Sequence, residues 1–152
     1  MEFETKVQFL TQPEHNRRTI VISDIHGHRA WLEKLLKKVD FSEKDILIIV
    51  GDMIEKGPES LNTIRYIMEL CEKYTVYPMM GNVDLWRIQM LLTEDGSLDQ
   101  ELYETNERMR QYWKATFFQD LCREAGVSVK TPEEIPAARE AVLAKFQKEL
   151  TF

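Results

Sequence analysis

The order of apolar and polar positions divides the chain into a regular first half and a different second half. Three short β-branched and aliphatic runs, Thr19–Ser23, Asp45–Val50 and Thr75–Met80, each stop abruptly at a polar turn. Runs of this kind, apolar on both faces, are how buried parallel strands read. Between them the period lengthens to that of a helix. Trp31, Leu32, Leu35, Leu36 and Val39 form one stripe over 29–39. Leu61, Ile64, Ile67, Met68 and Cys71 form a second, from about Pro58 to Tyr74, and Leu85, Ile88, Leu91 and Leu92 a third. Strand, turn and helix thus occur three times. Right-handed crossovers would set the strands parallel and bring all three turns to the same carboxyl edge.

After Thr93 the pattern is helical. Residues 97–125 predict a helix stopped at Gly126. Thr131-Pro132-Glu133-Glu134 predicts another start, with Thr131 as N-cap and a helix running towards Leu150. The stripe of Tyr103, Met109, Tyr112, Trp113, Phe117 and Phe118 reads as helix core. Residues 1–18 alternate weakly through Phe3, Val7 and Phe9, as a leader or an edge strand. The expected fold class is α/β, a parallel sheet with flanking helices plus a helical C-terminal extension. The expected divisions are 1–18, 19–93 and 94–152.

Composition narrows the function. The 152 residues carry a net charge of −6, and neither half has an excess of Lys and Arg. General nucleic-acid binding is therefore not expected. The acidic N-terminus lacks the apolar run of a secretory signal, and no window reaches membrane-span length, so the expected location is cytoplasmic by default. Cys71 and Cys122 lie in helical stretches without CxxC spacing and read as reduced core thiols.

The turns carry the chemistry. They read Ser23-Asp24-Ile25-His26-Gly27-His28, Gly51-Asp52-Met53-Ile54-Glu55-Lys56-Gly57-Pro58 and Gly81-Asn82-Val83-Asp84. Each opens with a ligand-type oxygen directly after a strand. Asp24 and His26, two apart, can reach one ion from a single loop. An Asp after a strand can also simply cap the next helix, but Asp24, Asp52 and Asn82 fall 28 and 30 residues apart, about one βαβ unit per step. Mixed oxygen and nitrogen donors suit manganese, iron or zinc better than calcium. His15 and His28 read as surface or supporting residues. Glu55 and Glu59 read as decoration of the loop and of the next helix's first turn.

The segments IVISDIHGH, IIVGDMIEKGPES and MMGNVD, in this order and spacing, resemble the D-x-H, G-D and G-N-x-D/E motifs of the calcineurin-like metallophosphoesterases over about residues 19–92. The resemblance implies part of that family's αββα sandwich and metal-dependent hydrolysis of a phosphorylated substrate of open class. It implies two divalent ions, manganese foremost. Asp24 and His26 would hold the first ion, Asp52 would bridge both, and Asn82 would hold the second. Asp84 falls at a family acidic position. Lys56 stands where a phosphate-binding arginine occurs, as substrate contact or solvated charge. There are departures. Val83 replaces a histidine that protonates leaving groups. No histidine follows His28, whereas the family draws further histidines from a second half. The expectation is therefore a truncated phosphoesterase, with a non-catalytic binding module or an inactive remnant as alternatives.

Overall fold

A computed structural model describes residues 17–92 and 114–152. Three strands, β1 (Thr19–Ile22), β2 (Ile46–Val50) and β3 (Thr75–Met79), form one parallel sheet in the order β1-β2-β3. Thr19 lies opposite Ile46, and Ile46 opposite Thr75, so the strands start level and end within one residue of one another. That register puts all three following turns on one rim.

Helices α1 (Arg29–Lys38), α2 (Ser60–Lys73) and α3 (Asn82–Leu92) follow the strands in turn. In the second region α4 (Thr116–Ala125), a short 3-10 turn (Pro132–Glu134), α5 (Ile135–Lys145) and α6 (Gln147–Leu150) complete the described elements. β2 is central, and Leu47 and Ile49 are fully enclosed. Phe117 and Leu121 of α4, Val142 of α5 and Phe146 share one apolar cluster with Leu47 and Ile49 and with Ile64 and Ile67 of α2. The helices after residue 114 therefore build the same core as the sheet.

Several expectations shift. Each strand is a residue shorter than its apolar run at one end, within the usual latitude of element boundaries. α2 starts at Ser60, two residues after Pro58. Of the α1 stripe only Leu32 and Leu36 are buried; Trp31 is 73% exposed and Leu35 is exposed beside it. Gly126 ends α4 as expected, with φ +76° and Val127 N–H returning to the Cys122 carbonyl. The following helix does not begin at Thr131. A 3-10 turn intervenes, and the Glu134 carboxylate accepts the backbone N–H groups of Lys130 and Thr131. Nor does the helix run unbroken to Leu150. It breaks at Phe146, whose ring is buried. The expected leader over 1–18, apart from Arg17 and Arg18, lies outside the described residues. So do Tyr103, Met109, Tyr112 and Trp113, while Phe117 and Phe118 are core as expected.

Candidate metal centre

Past their last residues, β1 and β2 continue as paired loops. Asp24 N–H donates to the Gly51 carbonyl (3.3 Å), His26 N–H to Asp52 (2.9 Å) and Gly27 N–H to Met53 (2.8 Å). The second loop returns, with Gly57 N–H on the His26 carbonyl (2.8 Å). This pairing turns both chains into a left-handed conformation. Asp24, His26, Asp52, Glu55 and Lys56 all have φ between +47° and +71°. Non-glycine residues rarely occupy that region, and when they cluster there the surrounding hydrogen bonds must over-determine them. The close approach of the second and third turns demands glycine. A Cβ on Gly81 would lie 2.3 Å from both the amide N and the Oδ1 of Asp52.

The result is a convergence of donor atoms. One ligand atom from each of Asp24, His26 and Asp52 can be chosen so that all lie within 4.8 Å of one another. His26 Nε2 is 3.4 Å from Asp24 Oδ1 and 3.9 Å from Asp52 Oδ2. The other ring nitrogen, Nδ1, is 3.2 Å from the Ile54 carbonyl. A carbonyl can only accept, so Nδ1 donates to it, and this turns Nε2 towards the two carboxylates. That orientation by a backbone oxygen is typical of a metal-ligating histidine. Lys56 Nζ sits 2.7 Å from Nε2, so an ammonium approaches the place where these donors call for positive charge. The Ser23 hydroxyl holds the Asp24 carboxyl below its ordinary range, partial burial opposes this, and His26 and Lys56 add to the lowering. The donor set thus fits a divalent cation.

Asn82 is exposed at the first position of α3. Its neighbours on both sides touch Asp52: Gly81 by close packing, and Val83 through its N–H on Asp52 Oδ1 (3.2 Å). The third turn is therefore on the same rim. Asp84 is placed differently from the other candidates. It is 1% exposed, and its carboxylate accepts the backbone N–H groups of Met53 (2.9 Å), Ile54 (3.1 Å) and Gly81 (2.9 Å). Burial raises its pKa, those three bonds pull it down, and Asp52 adds to the rise. Asp84 pins the second loop to the third and does not face the donor cluster as a free carboxylate.

Glu55 overturns its reading as loop decoration. It is buried, and its carboxylate accepts Thr116 N–H (3.2 Å), the Thr116 hydroxyl (3.3 Å) and Phe117 N–H (3.2 Å) at the start of α4. Arg87 Nε of α3 lies 3.4 Å away. A single carboxylate from the metal-side loop thus caps a distant helix and meets a third one. The sequence signal was present only as a Glu in a turn; its helix-start partners Thr116 and Phe117 are about 60 residues away.

Residues 17–134 match the profile of the calcineurin-like phosphoesterase family. Individual relatives agree. A symmetrical bis(5'-nucleosyl)-tetraphosphatase of Coxiella burnetii is 34% identical over 92 residues, covering 60% of this chain and 30% of the relative. One from Shewanella loihica is 46% identical over 68 residues, covering 44% and 24%. A solved structure described provisionally as a diadenosine tetraphosphatase is 30% identical, with a TM-score of 0.48, over 68% of this chain and 44% of that one. The matches span less than a third of the length of the curated relatives cited. With a family match over most of its length, and with the Asp-x-His, Gly-Asp and Gly-Asn turns gathered on one rim, this chain belongs to the calcineurin-like phosphoesterase family.

Proposed function

We propose that the chain is the metal-binding part of a phosphoester hydrolase that acts on a nucleotide phosphoanhydride. The observation that carries this reading is the convergence of Asp24, His26 and Asp52, with Nε2 of His26 turned towards the carboxylates by the Nδ1 contact to the Ile54 carbonyl. Asp24, His26 and Asp52, with the side-chain carbonyl of Asn82, would hold the divalent ions. Manganese, which the family resemblance puts first, is compatible with this mixed donor set, as are iron and zinc. Such ions supply Lewis acidity and a lowered water pKa for attack on phosphorus. The chain's own groups do the positioning. Lys56 offers a phosphate oxygen a point charge, without the two-pronged geometry of an arginine. Asp84 keeps the second and third loops in register.

The substrate class follows from two considerations. The relatives are named for tetraphosphates bearing two nucleosides. Val83, next to Asn82, cannot donate a proton to a leaving group. A nucleoside diphosphate leaves as a stable anion and needs no proton, whereas an alkoxide does. A phosphoanhydride therefore suits this site better than an alkyl ester.

The test is hydrolysis of a bis(5'-nucleosyl) tetraphosphate, an aryl phosphate and an aryl phosphodiester with added Mn²⁺, wild type against Asp52→Asn. The expected result is metal-dependent cleavage by the wild type, fastest on the tetraphosphate, and its loss in the variant. Equal background rates in both proteins would remove the catalytic reading. Tight metal binding alongside those equal rates would leave a binding module.

A further inference from the structure

A groove of about 380 Å³ opens beside the donor cluster, between the end of β1 and the first turns of α1. Ile22, Asp24, His28, Trp31 and Leu35 line it. Its size falls in the range of small-molecule sites, roughly 300–1,000 Å³. Its character is unusual for a free surface. The helical stripe of α1 would direct Trp31 and Leu35 inward, yet Leu32 and Leu36 fill the core and the indole of Trp31 stays 73% exposed. The imidazole of His28 stands with its centroid 5.8 Å from that of Trp31, so one end of the groove is an aromatic wall. Asp24 lines the same groove and also belongs to the donor cluster. A phosphate drawn to cations at Asp24, His26 and Asp52 would therefore have the groove beside it for its organic substituent.

We propose that this groove is a nucleobase subsite, in which the planar base of a nucleotide stacks on Trp31 while its phosphates lie at the metal-binding donors. The subsite rests on the phosphoester reading above and deepens it. An open, flat indole flanked by aliphatic side chains favours a planar aromatic ring, and base–aromatic stacking is tolerant of base identity. The subsite therefore selects nucleotides over bare polyphosphates and does not separate adenine from guanine.

The test measures ADP and inorganic pyrophosphate binding to the full chain with Mn²⁺, for wild type, Trp31→Ala and Trp31→Phe. The exposure of Trp31 makes these substitutions gentle on the fold. The expected result is ADP bound about tenfold more tightly than pyrophosphate by the wild type, in line with one base stack. Trp31→Ala should lose that advantage while binding pyrophosphate unchanged, and Trp31→Phe should keep part of it. Equal affinities for the two ligands in the wild type would overturn the subsite and leave the phosphoester reading intact; a groove that is covered by polypeptide gives this result. An advantage retained in Trp31→Ala would overturn it as well. If neither ligand binds, the phosphoester reading fails and the subsite fails with it.

Discussion

The two rims of the sheet gather charge in opposite ways. At the rim where the strands begin, Arg17, Arg18 and Asp45 are held by hydrogen bonds. Arg17 Nη2 donates to the carbonyls of Asp45 (2.7 Å) and Glu43 (3.1 Å) and to the Thr75 hydroxyl (2.9 Å), which ties the start of β1 to β2 and β3. Arg18 forks onto both oxygens of the enclosed Asp45 carboxylate, at 3.0 and 2.9 Å. At the rim where the strands end, two carboxylates and an imidazole converge with one exposed lysine beside them, on backbone in the left-handed region. The first arrangement is closed by hydrogen bonds; the second is under-neutralised and strained. A fold tolerates the second only where another interaction repays it, and cation binding does so. The contrast is a physical criterion that separates a structural ion pair from a binding site without reference to any relative.

The comparison sharpens if each rim is broken in turn. The largest effect is expected at the donor rim. Asp52→Asn should lower Mn²⁺ affinity and Mn²⁺-dependent turnover by more than about 100-fold, beyond the loss usual for groups that only orient a ligand. Its denaturation midpoint should stay the same or rise, because a like charge is removed and Asn Oδ1 can still accept Val83 N–H. Calorimetric titration alongside urea melts checks both halves, and a large stability loss would make the rim structural.

Next in size is the support behind that rim. Glu55→Ala removes the acceptor of two helix-start amides and the carboxylate beside Arg87, and breaking a buried ionic contact costs about 3–5 kcal/mol. Urea unfolding should show that loss, with metal affinity falling as well because the Asp52–Lys56 loop loses its anchor. Gly81→Ala drives a methyl into Asp52, and overpacking of this kind costs about 1–3 kcal/mol. Mn²⁺ titration should show weakened binding even where the fold survives.

The smallest effect is expected at the paired rim and only in acid. Arg18, helped by the Ser42 amide and against the effect of burial, holds the Asp45 carboxyl at about 2, below its ordinary 3.8. Its stabilisation is complete above the ordinary value and is lost as pH falls from there through about 2. Asp45→Asn should therefore melt a few degrees lower than wild type at pH 6, with the gap closing between pH 4 and pH 2. Metal affinity at neutral pH should not change. A gap that persists at pH 2 would show that the pair contributes through packing and not through charge.

Much of this was legible in the chain itself. The three βα units followed from apolar period, and the candidate ligands from their places directly after the strands, because both signals are local. Level strand starts then deliver Asp24, Asp52 and Asn82 to one rim. What periodicity could not supply was the identity of distant neighbours. α1 reads as one continuous stripe, yet the core accepts only Leu32 and Leu36 and leaves Trp31 outside. The break at Phe146 is likewise invisible in a run of good helix formers, because it is the shared core that takes the ring.

By itself, then, the sequence determined the order of the elements, the rim on which the polar turns collect and the residue types able to bind a cation there. Only the tertiary structure decided which nitrogen of His26 faces the carboxylates, since that depends on where the Ile54 carbonyl falls. It alone made Glu55 a cap for α4 and Asp84 a clamp between loops. A carboxylate's role is set by the groups within about 3 Å of its oxygens, and these come from parts of the chain that no local pattern connects.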